Sequence, residues 1–364
     1  MSVDYASIQW NRQKRKYDAV LVGSLAAYLL VFGAVTERFF PFVTEEILLI
    51  RAFGTAAFLL LHVILCIGPL CRLNPTFLPL LYNRRHAGVT LFLLALVHAV
   101  LVIATYHAGG DTNPILSIFI SSPIHLSASG IPFQAFGFLA LVILFLMAAT
   151  SHDFWLANLT APVWKALHML VYIAYALLVL HVTFGVLQGE RNPVYVGAVA
   201  LGFVTVLGLH AASALKERRL DHKGDLRGNA ADGYIDACAV SDIPENRARV
   251  VCLSGERVAI FKYGGKISAV SNVCQHQNGP LGEGRIVYGC ITCPWHGYQY
   301  QPDTGKSPPP FVEKVPTFNV RVADGRVWID PKPNAAGVRA EPAVVLESDP
   351  KRGPTAQIAC AQES

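Results

Sequence analysis

The sequence predicts a membrane bundle of six α-helices followed by a small antiparallel all-β domain. The chain has 364 residues, of which 53% are hydrophobic and only 15% are charged. A soluble protein of this size is rarely so apolar. The hydrophobic residues are concentrated in long stretches before residue 214. After residue 232 they occur in short segments that alternate with polar residues, which is typical of half-buried strands.

Six apolar stretches precede residue 214, and each is long enough to cross about 30 Å of hydrocarbon. Proline, glycine or charged residues separate them. The predicted spans are residues 18–37, 47–68, 87–106, 133–151, 162–187 and 194–213. Residues 18–213 thus form a helical domain after an N-terminal segment of residues 1–17. The first span follows basic residues but lacks a small-residue cleavage site, so we expect a retained helix and not a signal peptide.

Lysine and arginine predict the orientation of these spans. They cluster in residues 1–17, between spans two and three, near the start of span five and after span six. The opposite loops hold little beyond Arg38 and Arg191. Basic loops stay on the cytoplasmic side, so we expect an inner (plasma) membrane protein with both termini and the β domain in the cytoplasm. The net charge of +5 then reflects topology, and no nucleic-acid partner is expected.

The soluble half divides into three segments by composition. Residues 214–231 are polar and charged and are interpreted as a linker. Residues 232–331 contain the alternating segments RVVCL, RVAIFKY, KISAVSN, FNVRV and RVWID, separated by turns such as Gly264–Gly265. Residues 332–364 are rich in proline, alanine and charge, which predicts a disordered tail.

Two cysteine–histidine pairs lie in the β domain. Cys274 and His276 form C-x-H, and Cys293 and His296 form C-x-x-H after a gap of sixteen residues. Two thiolates and two imidazoles are the ligands of a Rieske [2Fe–2S] cluster, and a zinc ion is the alternative. The surrounding residues, SNVCQHQNGPLGEG and ITCPWHGYQY, resemble the ferredoxin-type Rieske domains that serve ring-hydroxylating dioxygenases. The other six cysteines are expected to be thiols without disulfide partners, since the cytosol is reducing.

The same resemblance predicts a low reduction potential. High-potential Rieske proteins carry a disulfide between the two ligand loops, at the positions of Gly279 and Trp295. They also place a serine where Tyr298 stands, although Tyr300 matches their tyrosine. Fewer hydrogen bonds to the cluster sulfurs leave the reduced state less stabilised, so the potential should lie near the lower end of the Rieske range, about −150 mV.

Histidines inside the predicted spans are functional candidates, because ionisable side chains are costly there. Span three holds His98, with His86 at its start, and span five holds His168 and His181. Imidazoles are axial ligands of haem iron. Thirteen residues of helix cover roughly 20 Å, one ligand for each leaflet, but they turn the second side chain by about 140°. Both can hold haem only if the helix bends or the haems lie on different sides of it.

The segments NRRHAGVTLFLLALVH and WKALHMLVYIAYALLVLH resemble the haem-bearing helices of the ferric reductase-like transmembrane family. The likeness is greatest to the membrane haem subunit of bacterial methionine sulfoxide reductase. It implies one or two b-type haems, with His98, His168 and His181 as the matching ligands. His86 and His62 are alternative inner ligands. His107 and His125 fall on the outer side and receive no role.

These features together predict a membrane electron-transfer oxidoreductase. Members of the resembling family usually carry a flavin and nicotinamide module, and the sequence holds no convincing G-x-G-x-x-G unit. A separate cytoplasmic reductase or ferredoxin is therefore expected as the electron donor. Ferric iron, oxygen, quinone or a periplasmic partner would be the acceptor. A Rieske oxygenase would need a further 2-His-1-carboxylate iron site, for which there is no room, and a non-catalytic redox sensor or assembly protein is the other alternative.

Overall fold

A computed structural model of the chain describes residues 12–120, 132–152, 155, 158–159, 161–189, 193–223, 225–226, 233–276, 278–295 and 297–345. A helical domain is followed by a β domain, as the sequence predicts. The main helices are α1 (Arg12–Phe39), α2 (Glu45–Leu73), α3 (Arg84–Tyr106), α4 (Phe133–Ala149), α5 (Ala161–Met169), α6 (Val171–Phe184) and α7 (Pro193–Lys223). A 3-10 segment, Pro75–Asn83, joins α2 to α3, and single helical turns occupy Pro114–Ser117 and Val186–Gly189.

The helices agree with the predicted spans except in one length and one break. Five helical segments of the described chain are long and apolar enough to cross a membrane: Lys14–Phe39, Glu45–Leu73, Arg84–Tyr106, Val163–Gly189 and Pro193–Arg219. The predicted fourth span is a shorter apolar helix of 17 residues, α4, which ends where the hydroxyls of Thr150 and Ser151 bond to carbonyls of its last turn. The predicted fifth span is divided at Leu170, whose N–H bonds to Leu167 O at 3.2 Å in a tighter turn.

The core of the helical domain surrounds α2, which packs against α1, α3 and α7, while α4 packs against α6. Small residues allow close approach at these contacts, as is common between helices in membranes. Ala56, Ala57, Ala140 and Ala174 are buried there, together with Leu61 and Tyr175.

The β domain contains twelve strands among the residues described. They are β1 (Asp225–Leu226), β2 (Ile235–Ala239), β3 (Arg247–Leu253), β4 (Glu256–Tyr263), β5 (Lys266–Ser271), β6 (Arg285–Val287), β7 (Cys290–Thr292), β8 (Gln299–Tyr300), β9 (Thr317–Phe318), β10 (Val320–Ala323), β11 (Arg326–Ile329) and β12 (Ala343–Val344). The largest sheet has the order β1-β3-β4-β5-β12 with β9 also on β5, and the others are β10-β11-β2 and β6-β7-β8. Apart from the parallel pair β1–β3, the pairing is antiparallel. The predicted strand segments and the Gly264–Gly265 turn are present.

The expected linker is largely regular structure. Helix α7 continues to Lys223, well past the end of the predicted sixth span, and Asp225 then pairs with Cys252 of β3. The prediction of a flexible linker is therefore wrong for residues 214–223 and 225–226. The polar composition indicated only solvent exposure. A solvated helix and a flexible coil can have the same polar composition, so composition could not distinguish them.

The expected disordered tail is also folded in part. Residues 332–345 cross the β domain, where Ala343 pairs with Ile267 and the Ala340 N–H donates to Asp303 O at 2.8 Å. The buried hydroxyl of Thr317 donates to Val338 O at 2.8 Å. The prediction of disorder is wrong for residues 332–345, because these hydrogen bonds fix a segment that is rich in proline, alanine and charge. Residues 346–364 lie outside the described part of the chain.

The β domain packs on one end of the helical domain. The Arg257 guanidinium pairs with the Glu217 carboxylate on α7, and the Arg84 guanidinium lies 5.9 Å from the centre of the Trp295 ring. Lys216 Nζ donates to the carbonyl of Arg72 at 2.9 Å, so α7 is tied to the end of α2. The basic ends of α2 and α7 and the basic start of α3 therefore share the end of the bundle that the β domain covers.

A half-buried carboxyl lies at this contact between the domains. Burial raises the pKa of Glu283 from its ordinary value to about 7, the nearby charge of Arg72 lowers it, and Glu217 raises it. The side chain lies in a 3-10 turn, Leu281–Glu283, between the two predicted ligand loops. The folded protein thus holds this proton more tightly than the unfolded chain does.

We expect the free energy of unfolding to fall as pH rises through this range. The contribution of Glu283 is fully present below the unfolded-state pKa of about 4.5 and is lost as pH rises toward the folded-state pKa of about 7. Glu283→Gln should remove this dependence of the free energy of unfolding on pH, and the control Glu256→Gln should retain it. The measurement is the unfolding temperature of the full chain in detergent between pH 5 and 8. If the unfolding temperature changes with pH equally in the parent and in Glu283→Gln, the pH dependence does not come from Glu283.

Candidate functional site

The two ligand loops of the β domain carry the predicted cluster ligands. Cys274 and His276 follow β5, and Cys293 follows β7, with all three side chains buried. Each cysteine opens a tight turn: Cys274 O accepts from Asn278 N–H at 2.6 Å, and Cys293 O accepts from Gly297 N–H at 3.0 Å. The structure thus brings three of the four predicted ligands to neighbouring loops. His296 lies outside the described residues, and its role stays a prediction.

Gly279 is where the two ligand loops touch. A Cβ atom at this position would lie 2.8 Å from Cys293 Sγ and 3.2 Å from the Trp295 ring. A larger residue would therefore displace a cluster ligand. Gly279 and Trp295 are the two positions at which high-potential Rieske proteins carry their disulfide, and here packing replaces that bond.

Two tyrosines complete the surroundings of the cluster ligands. The Tyr300 hydroxyl accepts from Gln275 N–H at 3.1 Å, so its own proton is available for Cys274 Sγ at 3.4 Å. Burial raises the pKa of Tyr300, so that the hydroxyl stays protonated as a donor. The Tyr298 hydroxyl donates to Glu313, while its ring stacks on His276 with centroids 4.9 Å apart. Burial lowers the pKa of His276 to about 4, which favours the neutral imidazole that a metal requires.

His98 on α3 and His181 on α6 face one another in the helical domain. Their ring centroids are 6.4 Å apart and the rings are nearly perpendicular, at 82°. Each Nδ1 lies 2.9 Å from a backbone carbonyl, that of Ile50 for His98 and that of Phe133 for His181. Because a carbonyl only accepts, both Nδ1 atoms carry the proton and both Nε2 atoms keep a lone pair for a metal.

Each of these rings rests on a glycine of an earlier helix. A Cβ at Gly54 on α2 would lie 2.8 Å from the His98 ring, and one at Gly137 on α4 would lie 2.8 Å from the His181 ring. Each glycine comes four residues after the carbonyl that holds the ring and 44 residues before the histidine. Sequence reasoning missed both glycines, although this shared spacing is a signal that could have revealed them.

The remaining histidines of the spans differ in what their Nε2 atoms do. His62, an alternative ligand, has Nε2 3.1 Å from the Tyr175 hydroxyl, and His210 has Nε2 3.2 Å from the Tyr172 hydroxyl. His168 donates Nδ1–H to Trp164 O at 3.0 Å, and its buried Nε2 has no hydrogen-bond partner among the described residues. The free lone pair makes His168 a better candidate ligand than His62.

Three further histidines stand apart from this set. The Nδ1 atom of His86 lies 2.9 Å from the carboxylate of Asp18 and 3.1 Å from the amide of Asn83, at a half-exposed position. His107 Nδ1 lies 2.6 Å from Ser117 Oγ in the turn that follows α3. His86 as a haem ligand stays a prediction. His125 lies outside the described residues.

Trp164 lies between the two sets of candidate ligands. Its ring stacks on His168 with centroids 3.3 Å apart and an angle of 15°, and its centre is 5.9 Å from the ring of His276. Its Nε1–H donates to Thr150 O at 3.1 Å at the end of α4. A predicted cluster ligand and an intramembrane histidine therefore flank one buried ring.

Known proteins show similarity to each half of the chain. Residues 233–319 match the family described as Rieske [2Fe-2S] domain, and residues 52–179 match the ferric reductase like transmembrane component. The ferredoxin component of the naphthalene 1,2-dioxygenase system of Pseudomonas putida is 32% identical over 98 residues, which are 27% of this chain and 94% of that ferredoxin. The chain belongs to the Rieske [2Fe–2S] family. Its Rieske domain is fused to a ferric reductase-like transmembrane domain, and the narrower likeness to the methionine sulfoxide reductase subunit stays a prediction.

Other relatives match a similar share of the chain. The ferredoxin component of the alkene monooxygenase system of Xanthobacter autotrophicus is 30% identical over 101 residues, 28% of this chain and 83% of that protein. Cholesterol 7-desaturase of Xenopus laevis is 33% identical over 110 residues, and the match spans 29% of this chain but only 24% of that protein. The solved ferredoxin of carbazole 1,9a-dioxygenase from Nocardioides aromaticivorans IC177 is 22% identical, with a TM-score of 0.27, covering 28% of this chain and all of that one.

Removing the Tyr300 hydroxyl should lower the reduction potential of the cluster. Tyr300→Phe takes away a donor to Cys274 Sγ that stabilises the added electron, so we expect a midpoint lower by several tens of millivolts. Redox titration followed by EPR measures it. Tyr263→Phe is the matched control, since that hydroxyl bonds to Ser268 instead. An unchanged midpoint in Tyr300→Phe would refute the hydrogen bond to sulfur.

Adding a methyl group at Gly54 or Gly137 should impair haem binding. Alanine usually stabilises a helix relative to glycine by roughly 0.5–1 kcal/mol, so a loss would come from displacement of His98 or His181. We expect Gly54→Ala and Gly137→Ala to lower the ratio of haem to protein by about half or more, as judged by the pyridine haemochrome assay. Gly208→Ala on α7, where a Cβ meets nothing within 4 Å, should keep the parental ratio. Parental haem content in both test variants would reject the site.

Proposed function

We propose that this protein carries electrons from a cytoplasmic donor through its Rieske cluster to b-type haem and on to an acceptor at the outer face. The observation that carries this proposal is the position of His276. A ligand of the cluster lies 5.9 Å from the ring of Trp164, which stacks on His168 of the membrane domain. Such contact is what transfer between the two domains requires.

The residues fit haem at one place and offer a ligand at a second. His98 and His181 direct two neutral imidazoles toward each other across 6.4 Å, and a metal–imidazole bond of about 2 Å on each side fits that separation. His168 supplies a further lone pair nearer the Rieske domain. Haem, when bound, supplies one-electron chemistry at its iron. The histidines fix its position, and the apolar helices exclude water from it.

The direction of flow follows from topology. His98 comes fourteen residues after Arg84 at the start of α3, so it lies roughly 20 Å deeper than the end that the Rieske domain covers. That end carries the basic loops, which favours a cytoplasmic location in the inner membrane. The donor is then a separate reductase or ferredoxin. Quinone, oxygen, ferric iron or a periplasmic protein would receive the electrons beyond His98 and His181.

A redox sensor or assembly protein is the second candidate function. Its support is the firm contact between the domains through Arg257 and Glu217, because a fixed contact would transmit the state of the cluster to the helices. A sensor would hold electrons without turnover. Reoxidation by an acceptor separates the two functions.

His181→Ala should stop electron delivery while leaving the cluster reducible. The variant loses one imidazole of the facing pair, so haem content should fall and reoxidation by a quinone analogue or ferric citrate should stop. The Rieske EPR signal should remain. The assay reduces the purified protein with dithionite under anaerobic conditions, removes the excess and follows the haem spectrum after acceptor is added.

Two further variants make this test selective. His210→Ala removes an intramembrane histidine whose Nε2 already bonds to a tyrosine, and it should retain haem and reoxidation. His276→Ala should abolish the Rieske signal and keep the haem spectrum. Parental haem content and reoxidation in His181→Ala would overturn the proposal, and a parent protein that never reoxidises would favour the sensor.

A further inference from the structure

We propose that Trp164 is the bridge by which an electron passes from the Rieske cluster to the ferric reductase-like domain. This inference rests on the proposed function and names the residue at its central step. In that step the reduced cluster would lose one electron, and ferric haem iron held by His168 would gain it. Trp164 itself is neither oxidised nor deprotonated, because its ring only supplies orbitals that span the gap.

The cluster side of the bridge is defined by His276. Its ring is buried, stacked at 5° on Tyr298 and 5.9 Å from the centre of Trp164 at an angle of 45°. A cluster ligand is the atom group through which electron density leaves the iron. Trp164 therefore meets the Rieske domain at the group that is best placed to transfer an electron.

The membrane side of the bridge is defined by His168. The Trp164 carbonyl accepts the Nδ1–H of His168 at 3.0 Å while the two rings stack with centroids 3.3 Å apart. This double contact fixes the orientation of His168 and leaves its buried Nε2 free for a metal. One residue thus positions the candidate inner ligand and contacts the cluster ligand.

Trp164 is held rigidly in this position. It is 4% exposed, and its Nε1–H donates to Thr150 O at 3.1 Å. The domains around it are joined by the Arg257–Glu217 ion pair and by Arg84 on the Trp295 ring. Fixed geometry suits electron transfer, since coupling falls steeply with distance and small displacements are costly.

The test compares Trp164→Leu with Trp164→Phe. Leucine removes the aromatic bridge, whereas phenylalanine keeps a ring between His168 and His276 and loses only the bond to Thr150. Trp155→Leu is the matched control, because this tryptophan lies between α4 and α5 and is 40% exposed. Haem content and the Rieske EPR signal are measured first, and they should equal those of the parent.

The decisive readout is the rate at which haem is reduced after rapid photochemical reduction of the cluster. We expect Trp164→Leu to slow this step by at least about tenfold, with most of the rate kept in Trp164→Phe and all of it in Trp155→Leu. If the parent shows no transfer from cluster to haem, the proposed function fails. If the parent transfers and Trp164→Leu is equally fast, only the bridge is refuted.

A chemical cross-link between the domains separates bridging from docking. Glu217→Cys and Arg257→Cys replace an ion pair between two long side chains, so the two thiols lie too far apart for a disulfide, and a short bismaleimide that reacts with both holds the domains together. Trp164→Leu should stay slow in this locked background. Recovery of the parental rate on locking would mean that Trp164 only holds the domains in contact, and would overturn the inference.

Discussion

The need to satisfy imidazole N–H groups inside hydrocarbon governs the helical domain. An unpaired donor there costs several kcal/mol, and five histidines of the spans donate Nδ1–H to a backbone carbonyl: His62, His98, His168, His181 and His210. For His98 and His181 that carbonyl belongs to an earlier helix, α2 or α4. The bonds select one tautomer, set the ring orientation and join neighbouring helices. The Nε2 atoms then divide into those that tyrosines occupy and those that remain available to a metal.

The Rieske domain meets an equivalent requirement with different means. Its cysteine turns satisfy backbone groups locally, and Tyr300 and Gly279 order the space around the sulfurs. The loops that carry the predicted cluster ligands also form the surface against the membrane domain, through Trp295 and His276. The predicted cofactor site and the contact between the domains therefore share the same few residues. A change in one of these loops would affect both.

The sequence predicted the parts of this protein that repeat or carry a specific spacing. Spans of about 20 apolar residues, the two cysteine–histidine pairs and the alternating strands are such features. It did not predict that α7 would continue to Lys223, or that residues 332–345 would be ordered. Polarity alone does not distinguish a coil from a solvated helix or from an extended segment that hydrogen bonds hold to a sheet. In the sequence, Trp164 is only the first residue of the segment WKALHMLVYIAYALLVLH, which resembles a haem-bearing helix. Its contact with His276 depends on how the domains pack, which no local pattern encodes.

The burial of His276 has a consequence for how the protein matures. The ring is 2% exposed and lies between Tyr298 of its own domain and Trp164 of the other. Iron and sulfide delivered by a scaffold protein must reach this loop while it is open to solvent. Cluster insertion should then precede closure of the two domains, and the Arg257–Glu217 pair would form last. Maturation would thereby follow a fixed order: the two domains would stay apart in the apo-protein and would come into contact only after the cluster is inserted.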